Sequence, residues 1–312
     1  MEAIESIRHA ARRLVRELHL LDNRYCIEGL SFSECHLVTE LERLGRATAS
    51  ELAELLVLEK STVSRLVKGL QRRGLLSIDL DATDRRKRWL SLTAAGVDGA
   101  RRVHHHARNQ VGTALDYVAG EEVPVLVNGL QRYAAAMRYA RLAADYRVRP
   151  IRPADDAAVA AVIRQVMTEH GAVGEGYSIQ DPEVDAMSAH YQPPQARFWV
   201  IEHDGRIVGC GGIAPLSNGP ADTCELRKMY FLPEVRGLGL GTRLLNTCLE
   251  AAHVAGYRNC YLETLASMKG ARHLYLKHGF TDLAGPMGCT GHSRCNAWMQ
   301  RPLTAADART GN

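Results

Sequence analysis

The chain has 312 residues, of which 46% are hydrophobic and 24% charged, and a net charge of +4. That length usually outgrows one hydrophobic core, so two domains are expected, and the composition excludes a disordered tail, a collagen-like repeat and a small disulfide scaffold. No apolar run approaches the length of a membrane-spanning helix, and the charged opening MEAIESIRHAARRLVRELHLLD lacks the apolar centre of a signal peptide. The eight cysteines include no CxxC pair and half lie in apolar runs, a pattern of reduced core thiols that points to the cytoplasm.

Residues 1–145 read as mostly helical. Ile4, Ile7, Ala11, Leu14, Val15, Leu18 and Leu21 recur at the spacing of an amphipathic helix. A second helix is predicted from Ser33 to a Gly45 cap, a third from Ser50 (as N-cap) to Leu56, and a fourth from Ser61 to Arg73, ending at Gly74. LLSIDL, DATDRRK and RWLSLT then make a hairpin, and two long helices fill 94–119 and 121–145.

Charge is concentrated here. Residues 60–88 hold nine Lys or Arg against three Asp, a local excess larger than the net charge of the whole chain. Two helices with a short turn and a basic hairpin form a winged helix-turn-helix arrangement. In the fourth helix Val63, Leu66, Val67 and Leu70 supply an apolar inner face, which leaves Ser61, Thr62, Ser64, Arg65 and Lys68 for a DNA major groove. Arg85, Arg86 and Arg88 of the wing are expected to reach the backbone or minor groove, with Asp84 orienting a guanidinium. The segments STVSRLVKGLQRRGLL and DATDRRKRWLSLTAAG resemble the MarR family, whose wing pattern is met by Asp84, Arg86, Leu90, Leu92, Thr93 and Gly96. The resemblance covers 1–145 and implies a homodimer, held by its first and last helices, on a pseudo-palindromic double-stranded DNA operator.

Near Tyr146 the pattern changes to alternating strands and helices. FWVIEH and IVGCGGIAPL flank Asp204-Gly205, a hairpin turn. CELRKMYFLP reads as a strand, RGLGLGTRLLNTCLEAAHVAG as a glycine loop entering a helix, NCYLETL as a strand, MKGARHLYLKHGF as a helix and NAWMQRPL as a last strand. Gly237, Gly239 and Gly241 let a backbone approach a diphosphate at a helix N-terminus. The spacing fits neither a dinucleotide fingerprint nor a P-loop.

ELRKMYFLPEVRGLGLG, NCYLETL and LYLKHGF, in that order, resemble the GNAT family of acetyl-CoA-dependent N-acetyltransferases, and Arg236, Gly239 and Gly241 match its (Gln/Arg)-x-x-Gly-x-(Gly/Ala) motif. The resemblance spans about 147–304. It implies an α/β domain with a mixed, splayed sheet, in which the backbone of Met229, Tyr230 and Phe231 pairs with pantetheine and the amides of Arg236, Gly237, Leu238, Gly239, Leu240, Gly241 and Thr242 hold the diphosphate of acetyl-CoA. It further implies Tyr275 as the acid that protonates the departing thiolate. Glu225 is the expected base, with Glu263 second. Glu175 and Tyr177 are expected to contact an amine acceptor, and Arg227, His292 and Arg294 a carboxylate.

Cys289, His292 and Cys295 lack a fourth ligand and His104, His105 and His106 point in different directions, so no metal site is expected. The expectation is thus a cytoplasmic homodimer of two domains, a mainly α winged helix-turn-helix domain over 1–145 and an α/β acetyltransferase over 146–304, with a tail over 305–312. It regulates transcription and acetylates a primary amine on a small or amino-acid-like molecule. The alternatives are a regulator whose second domain only senses acetyl-CoA, and a protein lysine acetyltransferase.

Overall fold

The computed structural model describes residues 2–22, 26–27, 29–84 and 86–307. Arg85, one of the wing residues expected to meet DNA, lies outside the described residues, as do 308–312 of the expected tail. The chain divides into two compact units, Met1–Asn128 and Gly129–Asn312. The division precedes the change of pattern at 145, because the helix Val123–Leu142 ends on the second unit: Tyr139 packs on Gly239, and Arg243 Nη1 donates to the Tyr146 carbonyl at 2.8 Å.

The first unit opens with α1 (Glu2–Glu17), a short pair β1 (Cys26–Ile27) and β2 (Leu30–Ser31), then α2 (Phe32–Leu44), α3 (Ala49–Leu56) and α4 (Lys60–Arg72). The wing is β3 (Leu76–Leu80) and β4 (Arg88–Leu92), antiparallel with Ile78 opposite Leu90; α5 (Ala94–Leu115) and the start of α6 (Val123–Leu142) follow. The caps of α2 and α3 fall two residues before the serines expected from sequence. Ser31 and Thr48 form reciprocal capping boxes with Glu34 and Glu51, each satisfying two amides that a helix start leaves unpaired. Leu37, Leu41, Leu52, Val63, Leu70 and Leu90 close one core under these helices.

In the second unit β5 (Arg147–Pro150), β6 (Arg197–His203), β7 (Arg206–Pro215), β8 (Thr223–Phe231), β9 (Asn259–Thr264), β10 (Thr281–Asp282) and β11 (Ala297–Pro302) form one sheet. Its order is β10-β11-β9-β8-β7-β6-β5. The helices are α7 (Asp156–Glu169), the single turn α8 (Met187–His190), α9 (Leu240–Val254) and α10 (Lys269–Lys277). Asp204 and Gly205 both take positive φ, as the tight hairpin between β6 and β7 requires. The core joins Val159 and Ile163 of α7, Val200 and Ile201 of β6, and Leu244, Leu245 and Leu249 of α9.

Two irregularities in β8 shape the unit. Its register with β7 slips between Cys210 and Gly212, and Lys228 opposite the slip has a left-handed φ of 54°, a bulge that bends the strand. On its other edge β8 pairs with β9 in parallel only through Thr223–Asn259, Cys224–Cys260 and Glu225–Tyr261. Beyond Glu225 the strands part, so the mixed sheet is splayed as expected.

Candidate functional site

The splay and the glycine loop enclose a cleft of about 570 Å³, lined by Met229, Tyr230 and Phe231 on one side and Ser267 to Ala271, His273 and Leu274 on the other. Gly237 and Gly239, with φ of 77° and 80°, turn the chain into α9. Among the described residues the amides of Gly237, Leu238 and Gly239 donate no hydrogen bond, and those of Leu240, Gly241 and Thr242 belong to the unpaired first turn. Such a cradle of N–H groups at a helix N-terminus fits a diphosphate, and the open β8 edge fits the amide-bearing arm of a coenzyme A thioester.

Arg236 differs from its expected part. Its amide is bonded to the Pro233 carbonyl at 3.2 Å, and its guanidinium grips both oxygens of Glu169 at 2.6 and 2.8 Å and the Phe231 carbonyl at 3.0 Å. It therefore ties the loop to α7 and β8, and its own amide, unlike those that follow, is already paired. The ion pair lowers the Glu169 carboxyl and raises Arg236.

A second cavity of about 60 Å³ adjoins the cleft, and Met229, Tyr230, Met268, Ala271 and Tyr275 line both. Tyr275 thus stands at their junction. It is 5% exposed, burial pushes its hydroxyl well above the ordinary phenol range, and no protein group accepts its proton among the described residues. It stays protonated at neutral pH, as an acid must before it donates.

The small cavity is walled by charge. Glu225 is 2% exposed; burial raises its carboxyl, an effect that Arg227 partly offsets by donating Nε to Oε2 at 2.5 Å. Arg227 also reaches the Pro215 carbonyl and Ser217 Oγ, each at 3.3 Å. Lys228, turned inward by the bulge, meets Asp181 and lies 3.4 Å from Glu183. Asp181 also takes His292 Nε2 at 2.9 Å. Burial raises the Asp181 carboxyl, but His292 and Lys228 together outweigh it and hold it below the usual range. Glu263 accepts Tyr261 Oη at 2.8 Å and lies 4.0 Å from His292 Nδ1. Burial pushes the nearby Cys295 thiol up to about 12.

Of the residues expected around the acceptor, Tyr177, Arg227 and His292 line this cavity, whereas Glu175 and Arg294 are exposed and outside its lining. Arg227 is committed to Glu225, a partner two residues away on the same face of a strand. Asp181, Lys228, Tyr261 and Tyr139 were missed in the sequence. Lys228 stands in β8 beside Glu225 and Arg227, which were read as site residues, and Tyr261 in β9 beside Glu263, whereas Asp181 is brought in by loop folding and Tyr139 from a preceding helix. Tyr139 lines the cleft beside Gly239.

In the first unit Val63, Val67 and Leu70 of α4 are buried and Leu66 partly so, while Ser61, Ser64, Arg65 and Lys68 are exposed. Thr62 is half-buried and accepts Arg65 Nη2 at 3.1 Å. In the wing Arg86 and Arg88 are exposed. Among the described residues Asp84 accepts the Arg86 backbone amide at 3.0 Å and so shapes the turn. Asp81 completes the turn by accepting the Thr83 hydroxyl, Trp89 Nε1 and the Asp84 and Thr83 amides, contacts that hold its carboxyl well below the usual range.

A splayed mixed sheet, an amide cradle at a helix start and a charged acceptor cavity define an enzyme that moves an acyl group from a coenzyme A thioester. Residues 164–280 match the Acetyltransferase (GNAT) family, and residues 28–87 match the MarR family of DNA-binding regulators. Over 150 residues the chain is 45% identical to the uncharacterized N-acetyltransferase YjgM of Escherichia coli (strain K12), a match covering 48% of this chain and 90% of that protein. It is 36% identical over 110 residues to an IAA acetyltransferase of Azospirillum brasilense, covering 35% and 70%. A solved GNAT-family acetyltransferase from Staphylococcus aureus Mu50 aligns with a TM-score of 0.46 and 18% identity, over 51% of this chain and 99% of that one. The chain belongs to the GNAT family: it is an acetyl-CoA-dependent N-acetyltransferase, preceded by a segment that matches the MarR family.

Proposed function

We propose that the chain is both a transcription regulator and a working acetyltransferase, which moves acetyl from acetyl-CoA to the primary amine of a small molecule. The observation that carries this reading is Tyr275, a protonated hydroxyl lining both the cleft and the charged cavity. The pantetheine arm runs along the open edge of β8, and the diphosphate rests on the amides from Gly237 to Thr242. The acceptor nitrogen enters from the small cavity, where the walls fix its approach to the thioester. The carbon–sulfur bond then breaks and Tyr275 protonates the thiolate.

Charge favours an amine without an adjacent carboxylate. Among the described residues Glu225 and Glu263 of the cavity wall, with Asp181 and Glu183 behind it, stand against two full cations, Arg227 and Lys228, and both are already paired with carboxylates. A surplus of negative charge in and behind a cavity wall attracts a cation and repels an anion. The small simple amine is therefore preferred over the amino-acid-like acceptor. Its test is release of free thiol from acetyl-CoA across primary amines with and without a neighbouring carboxylate. Turnover confined to amino acids contradicts this choice.

On the first unit, the exposed Ser61, Ser64, Arg65 and Lys68, with Thr62 at the helix start, face the major groove, and Arg86 and Arg88 hold the backbone beside the wing. Homodimerisation is supported by α1, which buries none of its residues although Ile4, Ile7 and Leu14 share its apolar stripe. None of the helices is long and apolar enough to cross a membrane among the described residues. Buried thiols at Cys210, Cys224, Cys248 and Cys260 suit the reducing cytoplasm, where DNA and acetyl-CoA are both met.

A further inference from the structure

Proton removal from the acceptor has two structural candidates, and they differ in what protonation would leave behind. Glu225 lies in the cavity, but its Oε2 is bonded to Arg227 at 2.5 Å and both groups are largely buried. A proton on Glu225 would strand the guanidinium without its counter-ion, which is the costly way to break a buried pair. His292 has the opposite surroundings. Its side chain is 12% exposed and lies between two carboxylates, Asp181 at 2.9 Å from Nε2 and Glu263 at 4.0 Å from Nδ1. A proton gained there is compensated on both sides.

The tautomer follows from the partners. Asp181 already receives Lys228 and is held ionised, so it can only accept; Nε2 therefore carries the ring hydrogen and Nδ1 presents a lone pair. Nδ1 and Glu263 Oε2 are too far apart to bond one another, yet close enough for one nitrogen to lie within about 2.8 Å of both. Two acceptors at that spacing on a cavity wall fit an ammonium group. Tyr261 holds Glu263 through its other oxygen, Oε1, which leaves Oε2 facing His292.

We infer that His292, oriented by Asp181, is the base that deprotonates the acceptor ammonium while Glu263 holds it. The inference rests on the acetyltransferase reading above and assigns a residue that the sequence had placed on a substrate carboxylate. The ammonium gives one proton to His292 Nδ1 and becomes a neutral amine. Its lone pair forms the bond to the thioester carbonyl carbon. As the carbon–sulfur bond breaks, the sulfur leaves with the electron pair and takes the Tyr275 proton. The new amide nitrogen sheds its second proton to the Tyr275 oxygen, and His292 releases the first to solvent.

The pH profile of thiol release tests this, because a residue that only shapes the cavity would lower the rate without changing its pH dependence. Among the described residues the charged or titratable groups around His292 are Asp181 and Tyr177 from the acceptor loop, Glu225, Arg227, Lys228 and Tyr230 from β8, Glu263 from β9, Tyr275 from α10 and Cys295 on its own loop. Full-length protein and His292→Gln are assayed with a panel of primary monoamines and polyamines from about pH 5.5 to 9. The unmodified enzyme should show kcat/KM rising along an acidic limb to a plateau. His292→Gln should lose about 100-fold at neutral pH, keep its acetyl-CoA affinity, and rise with pH without that plateau. Asp181→Asn should weaken the same limb. A His292→Gln profile that keeps the limb and plateau overturns the assignment. Absence of turnover by the unmodified enzyme with every amine overturns the amine reading and the assignment together.

Discussion

The ring of Tyr139 occupies the space that a β-carbon on Gly239 would need: such an atom would stand 2.6 Å from Cγ and 2.7 Å from Cδ1. The glycine loop is thus shaped both by its φ of 80° and by a side chain from the end of α6. Gly239→Ala should raise KM for acetyl-CoA by about tenfold through both effects, with a strain of the order of 1 kcal/mol from the backbone alone. Tyr139→Ala should raise it a few-fold by opening the cleft wall. In the double variant the penalty should fall below the product of the two, since the steric conflict is gone and only the φ strain remains. A steady-state double-mutant cycle reads this directly.

Tyr275→Phe removes one oxygen and keeps the packing against Phe280, whose ring centre lies 5.7 Å away. Turnover should fall by about 100-fold with acetyl-CoA affinity nearly unchanged. Because burial raises this hydroxyl above its ordinary value of 10.0, loss of activity at alkaline pH should not arise from it below pH 10.0. Rates and binding measured side by side distinguish loss of the acid from damage to the cleft.

Arg149 anchors the edge strand β5 by gripping both oxygens of Asp155 at 2.6 and 2.8 Å and Glu202 at 2.5 Å. The bond to Arg149 lowers the Asp155 carboxyl below its ordinary 3.8, outweighing burial. A depressed acid stabilises the fold above its unfolded value and loses that contribution as pH falls through the folded one. Asp155→Asn should cost about 3 kcal/mol at neutral pH. Its deficit should shrink below about pH 4, as measured by denaturant titration at each pH.

Arg65→Ala and Arg86→Ala should each weaken DNA binding and reduce the slope of log affinity against log salt by about 1, the signature of one lost phosphate contact. Loss of sequence discrimination with an unchanged slope would instead make the residue a base reader. Fluorescence anisotropy over a salt series separates the two.

Sequence was most informative where one local segment performs the work. The apolar stripe of α4 and the Asp204-Gly205 turn each encode their conformation within a dozen neighbouring residues, and the positive φ of the loop before α9 is encoded by its own glycines even though Tyr139 and Glu169 also hold that loop. The caps were misplaced because Ser31 and Ser33, and Thr48 and Ser50, are chemically equivalent; only the reciprocal bond to Glu34 or Glu51 selects one. The acceptor cavity was least legible. His292 and Asp181 are 111 positions apart and meet only after two loops fold over the splay. The fate of Arg227 depended on Glu225 two residues earlier, a pairing visible once both were known to lie on one strand face.

In the proposed function the second unit transfers acetyl to a primary amine. The direct measurement is to count free thiol and acetylated amine together, by colorimetry and mass spectrometry, for the full chain with acetyl-CoA and each amine. Equal amounts of the two products, greatest for amines without a carboxylate and suppressed in Tyr275→Phe, are the expected result. Thiol released at the same rate with and without amine, and no acetylated product, would contradict it.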